Sequence, residues 1–205
     1  MPLVCIPTTS GTGSEVSHSA VLTDTANQIK VSTQSNYLRP ALALVDPELS
    51  YSCPRQVAAD SGIDALTHAI EAYTAVQFDK LVVPAGEKCA YEGSFPLADC
   101  LAEKAIELIG ENLVAAVNDA DQQARDKMAL AATLAGMAFS NAGVAVVHAL
   151  EYPLGGALHC SHGGGNGMLL PFVMRFNLQV RKETFARIAA LLGEETADLS
   201  PEDAA

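Results

Sequence analysis

In the stretch DALTHAIE, Asp64 and His68 stand four residues apart, and the later run VVHALEYPLGGALHCSHGGGNG carries His148, His159 and His162. The chain has 5 His, and His18 alone lies outside these two windows. Carboxylate and imidazole are groups that hold divalent cations, and a spacing of four on a helix puts both on one face. The same spacing also serves a surface pair or a helix-stabilising hydrogen bond. His148 closes the apolar run AGVAVV, where a helix face would be buried, and His162 lies beyond PLGG in a stretch, SHGGGNG, that reads as a Gly-rich turn. A lone His on an apolar face is usually a core residue with a satisfied hydrogen bond. Two of them flanking a turn can instead bring a helix and a loop onto one point, and such close approach needs small residues, here Gly155, Gly156, Gly163, Gly164 and Gly165. A carboxylate with three neutral imidazoles suits Fe(II) or Zn(II) and leaves room for a substrate oxygen, which is the property of a catalytic site. Spacing alone leaves the metal and the metal-free readings even.

The elements that must position these residues fall into two textures. Up to about residue 52 the chain reads as strand and turn. LVCIPTT is followed by the turn SGTGSE, and then SAVLTD, QIKVSTQ and ALALVDP are short β-favourable runs between polar or Pro-containing turns. From Pro54 onward apolar positions recur at three and four. This predicts helices over about 55–75, 95–118 and 120–140, a fourth leading into His148 and a fifth over about 171–192, with a loop at 77–95. The expected fold class is mainly α with a short N-terminal β part.

Composition narrows the partners. The 205 residues are 49% hydrophobic and 18% charged, a globular balance. Twelve basic against 24 acidic residues give a formal charge of -12, which repels phosphate backbones and anionic lipid, so neither nucleic acid nor a membrane surface is an expected partner. The Cys count is odd, at 5, with no CxxC pair, which argues against a disulfide framework or a zinc-finger set and predicts a reducing, cytoplasmic setting. The N-terminus lacks the regions of a signal peptide, and no apolar run nears the roughly 20 residues of a membrane span.

Four motifs carry a family resemblance. IPTTSGTGSEV at 6–16, VDPEL at 45–49, GIDALTHAIEAY at 62–73 and the run from Asn141 to Pro171 resemble the iron-containing, or group III, alcohol dehydrogenases, over nearly the whole chain and in the family's order. The resemblance implies the dehydroquinate synthase-like architecture of that family: a dinucleotide-binding α/β domain, of which residues 1–52 would be the end, and an α-helical metal-binding domain, of which 53–205 would be an incomplete copy. By motif, the metal ligands would be Asp64, His68, His148 and His162. Thr8, Thr9, Gly11 and Thr12 would lie along NAD or NADP, with Gly11 and Gly13 allowing close backbone approach, although the same turn also reads as the cap of a helix beginning near Ser14. Lys30 matches a position near the cofactor, whereas a lone Lys on a strand edge is more often solvated. His18 and His159 match no ligand position.

The implied reaction is hydride transfer between a nicotinamide and a small alcohol or carbonyl substrate, with the metal as Lewis acid and a homo-oligomeric whole protein. Two departures bear on it. Many members carry a further His four residues after the one matching His148, close to the reacting carbon, and here that place is taken by Tyr152. A phenol, with a reference pKa of about 10, does not shuttle protons near neutrality. Members are also nearly twice as long, with a GGGS-type turn upstream of these motifs, so the chain is expected to be a piece of a longer protein. A hydroxyacid–oxoacid transhydrogenase-like or other reductase of the superfamily, and a non-catalytic metal-binding remnant, are the competing readings.

Overall fold

The computed structural model describes residues 2–27, 29–87 and 89–205. Gln28 of the third expected strand and Lys88 of the expected loop lie outside the described residues, as does Met1. Two small sheets open the fold. Strands β1 (Val4–Cys5) and β4 (Leu42–Ala43) pair in parallel, and β2 (Ser19–Asp24) and β3 (Ile29–Gln34) form an antiparallel hairpin in register Ser19 with Gln34 through Asp24 with Ile29. Among the described residues, six helices of ten residues or more follow: α1 (Arg55–Thr74), α2 (Pro96–Asn118), α3 (Gln122–Ala142), α4 (Val146–Leu158), α5 (His162–Asn177) and α6 (Lys182–Leu191). A single turn, α7 (Pro201–Ala204), ends the chain.

Helices α1, α2 and α3 form the body, and small residues let them lie close. Ala65, Ala69, Ala105, Ala131 and Ala135 are buried between them, together with Ile106 at 0% exposure. An isoleucine buried this fully contributes about 1.5–3 kcal/mol. Arg125 fastens the entry to α1: from its buried place on α3 its guanidinium donates to the carbonyls of Ser50, Tyr51, Cys53 and Ala116. Asp121 caps α3 by accepting from the Ala124 amide at 2.8 Å, and Gly143, at φ 103, ends it.

The first three helices lie where the periodicity puts them; the last two expected ones do not. The fourth helix begins just ahead of His148 instead of ending there, with Gly143 and the extended Ala145 separating it from α3. The Gly-rich stretch around His162 is not a turn, because HGGGNG forms the first turns of α5. Glycine in a helix costs roughly 0.5–1 kcal/mol relative to alanine, and here packing reverses that preference. A Cβ on Gly163 would overlap the carbonyl oxygen of Asp60, and one on Gly167 would lie 2.6 Å from Ile63 Cγ1. The absent side chains let the α5 backbone lie against α1. Pro171 sits inside this helix, and a 3-10 turn over Leu178–Val180 with Arg181 separates α5 from α6, so the expected helix over 171–192 is two helices. Among the described residues of 77–95, a 3-10 turn at Phe78–Lys80 and an isolated parallel bridge between Gln77 and Ser94 are the regular features. Among the described residues no single helix is long and apolar enough to cross a membrane, and α3 with α4, which together reach the length, are bent by 105°.

Candidate metal centre

Helix α1 supplies one side of the centre. Asp64, His68 and Glu71 fall at intervals of four and three, which is one stripe of a helix, and all three are buried at 2%, 5% and 3% exposure. The opposite side comes from the first turns of α4 and α5. His148 Nε2 lies 3.0 Å from His68 Nε2 and 3.9 Å from Asp64 Oδ1, and His162 Nε2 lies 3.8 Å from the same Asp64 oxygen. The structure thus brings Asp64, His68, His148 and His162 together.

Two further carboxylates orient the rings. His148 donates its Nδ1–H to Glu71 Oε2 at 2.6 Å, and His162 donates its Nδ1–H to Glu151 Oε2 at 2.5 Å. Each bond fixes the tautomer and leaves the Nε2 lone pair facing Asp64. Glu71 has a second task. Helix α4 has no side-chain cap of its own, and Glu71 Oε1 accepts the Val147 amide at 2.7 Å. Neither Glu71 nor Glu151 figures in the sequence reading. For Glu71 a signal was present, since it continues the Asp64–His68 stripe; Glu151 follows His148 by three on what the sequence presents as a loop.

Protonation matches a cation site. Burial drives the His68 imidazole down to about 4, against the opposing pull of Asp64, so the ring is neutral and ligand-ready near neutrality. Burial raises Asp64, but the imidazoles of His68, His162 and His148 and the Asn166 amide outweigh it and hold the carboxyl below its usual range. Asn166, 0% exposed, donates from Nδ2 to Asp64 Oδ1 at 2.8 Å and also faces His148 Nε2 and His162 Nε2 at 3.1 and 3.3 Å. Among the described residues, His68 Nδ1 and Asn166 Oδ1 are buried without a hydrogen-bond partner. A tetrahedral ion with bonds of 2.0–2.2 Å spaces its ligand atoms roughly 3.4 Å apart, and the separations of 3.0, 3.8 and 3.9 Å bracket that value. The donor set, one carboxylate oxygen and imidazole nitrogens, therefore fits a borderline divalent cation.

The centre opens on a cavity of about 290 Å³ whose walls include Thr12, Ser14, Lys30, Phe139, Val144 and Tyr152. The Tyr152 ring stacks on His162 with centroids 6.0 Å apart. Burial pushes its phenol above 10, with a hydrogen bond to Ser32 acting the other way. Of the N-terminal motif, Thr12 and Ser14 reach this cavity, while Thr8 is exposed and Thr9 lines a separate small cleft beside Glu15. Gly11 and Gly13 are pressed against helices: a Cβ on Gly11 would lie 2.7 Å from Ser61 Cβ, and Gly13, at φ 59, abuts Gly136 of α3. A 3-10 turn over Ser14–Val16 follows. Lys30 is not solvated, as a lone strand-edge Lys usually is; its ammonium donates to Glu151 Oε1 at 2.7 Å. His18 is buried beside Ser140 and Arg39, and His159 takes the left-handed position that ends α4, so neither joins the centre. All five cysteines are free.

Comparison with known proteins agrees with this architecture. The model of the Fe-containing alcohol dehydrogenase family, C-terminal, matches residues 58–205, and that of iron-containing alcohol dehydrogenase matches residues 1–47. The chain belongs to the iron-containing alcohol dehydrogenase family. It is 45% identical to long-chain-alcohol dehydrogenase 1 of Geobacillus thermodenitrificans, over 100% of this chain and 47% of the relative. It is 41% identical to the NAD-dependent methanol dehydrogenase of Bacillus methanolicus, over 100% of this chain and 50% of the relative. Among solved structures, 1,3-propanediol oxidoreductase superposes with a TM-score of 0.87 at 41% identity, covering 99% of this chain and 49% of that one. The alcohol dehydrogenase from Oenococcus oeni gives 0.86 at 37%, covering 99% and 49%. The chain spans about half the length of the curated relatives it matches.

Proposed function

We propose that this chain is the metal-binding part of an alcohol dehydrogenase that moves a hydride between a nicotinamide cofactor and the carbon of an alcohol or carbonyl compound. The observation that carries the reading is the clustering of Asp64, His68 and His148, with His162 Nε2 3.8 Å from Asp64 Oδ1 and the Nε2 lone pairs of His148 and His162 turned inward by buried carboxylates. These four residues would hold Fe(II) or Zn(II), which when bound supplies Lewis acidity toward a substrate oxygen. Residues 1–52 would belong to the dinucleotide-binding domain and 53–205 to the metal-binding domain.

The chain's own groups prepare the site. Asp64 brings one negative charge in among the imidazoles, which offsets part of a divalent charge. All four of these residues line the cavity, and His162, whose side chain is 31% exposed, is the most open of them. Val21, Phe139 and Val144 give the cavity an apolar side that limits water near a reacting carbon. Tyr152 keeps its proton at neutral pH, so at the place where many members have a His it can hold a substrate oxygen by hydrogen bonding but cannot relay a proton. The relatives named for methanol and for long-chain alcohols share the alcohol function and differ in chain length, which supports the reaction class and leaves alkyl size free. The Bacillus methanolicus relative is named as NAD-dependent, which favours NAD here.

Calorimetric titration of the 205-residue chain with Zn(II), followed by NADH, tests this reading. Stoichiometric Zn(II) binding that disappears in Asp64→Ala is expected, with weaker NADH binding, since Thr12 and Ser14 are the residues of PTTSGTGSE that line the cavity. Zn(II) binding that survives Asp64→Ala unchanged would sink it.

A further inference from the structure

Glu151 is 0% exposed and carries a carboxylate into the interior, where a charge is tolerated only if its oxygens are paired. Its two oxygens are divided. Oε1 accepts from Lys30 Nζ at 2.7 Å, and Oε2 accepts from His162 Nδ1 at 2.5 Å. The three groups come from separate elements: Lys30 from β3, Glu151 from α4 and His162 from α5. Two glycines clear the room they occupy. A Cβ on Gly155, one turn beyond Glu151, would overlap Glu151 Oε1 and lie 2.5 Å from Lys30 Nζ; a Cβ on Gly165 would lie 3.0 Å from Glu151 Cγ. Strand β3 packs directly on α4, and Lys30, with a side chain only 15% exposed, is the charged group it lays there.

We propose that Lys30 and Glu151 are a positioning pair for the metal centre. Lys30 aims the buried carboxylate, and the carboxylate holds His162 in the tautomer protonated on Nδ1, so that its Nε2 lone pair faces Asp64. The β2–β3 hairpin thereby takes part in setting a ligand that lies on a helix. His148 shows the contrast, because its carboxylate, Glu71, uses its second oxygen on the Val147 amide and needs no cation. The purpose of this pair rests on the metal-centre reading, but its geometry does not, and the two can be tested apart.

The test is nitrogen-edited NMR of the histidine rings in the metal-free 205-residue chain, at a pH well above the ordinary imidazole pKa of about 6.5. In the unaltered chain His162 is expected as a single Nδ1–H tautomer. Lys30→Met should turn His162 into a mixture of tautomers while His148 stays fixed, and Lys30→Arg should restore the single form. Should Lys30→Met not fold, Lys30→Gln gives the same reading with a polar side chain. An unchanged His162 signal in the folded variant overturns the proposal. A second measurement, Co(II) titration followed by its visible spectrum, should show affinity lowered about 10–100-fold in Glu151→Gln; equal affinity would refute the link to the centre. If the unaltered chain took up no Co(II) while His162 still followed Lys30, the metal reading would fall and the positioning pair would stand.

Discussion

The two carboxylate–histidine pairs of this protein are alike in their hydrogen bond and unlike in everything around it. Glu71 and His148 lie wholly within the helical body, and the spare oxygen of Glu71 caps the start of α4. Glu151 and His162 lie at the edge of the cavity, with His162 31% exposed and the spare oxygen of Glu151 tied to a lysine on a hairpin. The first pair joins the site to the core, where its loss is felt as instability. The second joins the site to a two-stranded element at the surface, where its loss is felt as a ligand that no longer points one way. One interaction type thus serves architecture in one place and aim in another, according to what satisfies the second oxygen.

The strongest way to break the comparison is to remove the group both pairs face. Asp64→Ala should abolish Zn(II) binding by calorimetry, since among the described residues Asp64 is the one carboxylate in the cluster it forms with His68 and His148. Next in size, Glu71→Ala leaves the Val147 amide and the His148 Nδ1–H buried without their acceptor. The metal-free chain should lose about 2–4 kcal/mol in urea unfolding, and Co(II) affinity should fall about 10–100-fold. Retained stability would show that Glu71 is no more architectural than Glu151.

Acid should act on the core side of the site. The folded chain keeps His68 neutral down to about pH 4, whereas the unfolded chain takes up that proton near 6.5. Between those values the unfolded state binds more protons, so stability is present above about 6.5 and declines as pH falls toward about 4, by up to about 3 kcal/mol. Urea unfolding of the metal-free chain across this range measures it. The same slope in His68→Gln would assign the loss to other groups. A smaller effect separates the helix seam from the ion pair. Gly163→Ala should cost about 1–3 kcal/mol despite alanine's better helix propensity, because its methyl meets the Asp60 carbonyl. The smallest effect belongs to Tyr152. Tyr152→Phe should leave Co(II) affinity unchanged, since its ring stacks on His162 and its hydroxyl bonds none of the centre's nitrogens; altered affinity would bring the phenol into the centre.

The amino-acid sequence by itself determined the elements with strong local signals. The Ala-rich, three-and-four periodicity of α1, α2 and α3 survives in the structure nearly to the residue, because their apolar faces and their end signals, Asp121 and Gly143, agree with each other. The stripe from Asp64 to His68 was legible for the same reason, and the order of motifs placed His148 and His162 beside it. Tertiary structure alone decided the rest. Local chemistry argues against a helix through HGGGNG and past Pro171, and only the chance to press a side-chain-free backbone onto Asp60 and Ile63 of α1 makes one favourable. Nor can spacing pair Lys30 with Glu151 or Glu71 with His148. Those partners are far apart in the chain and meet because a buried carboxylate, once its helix has carried it out of water, must find donors among whatever the fold brings near.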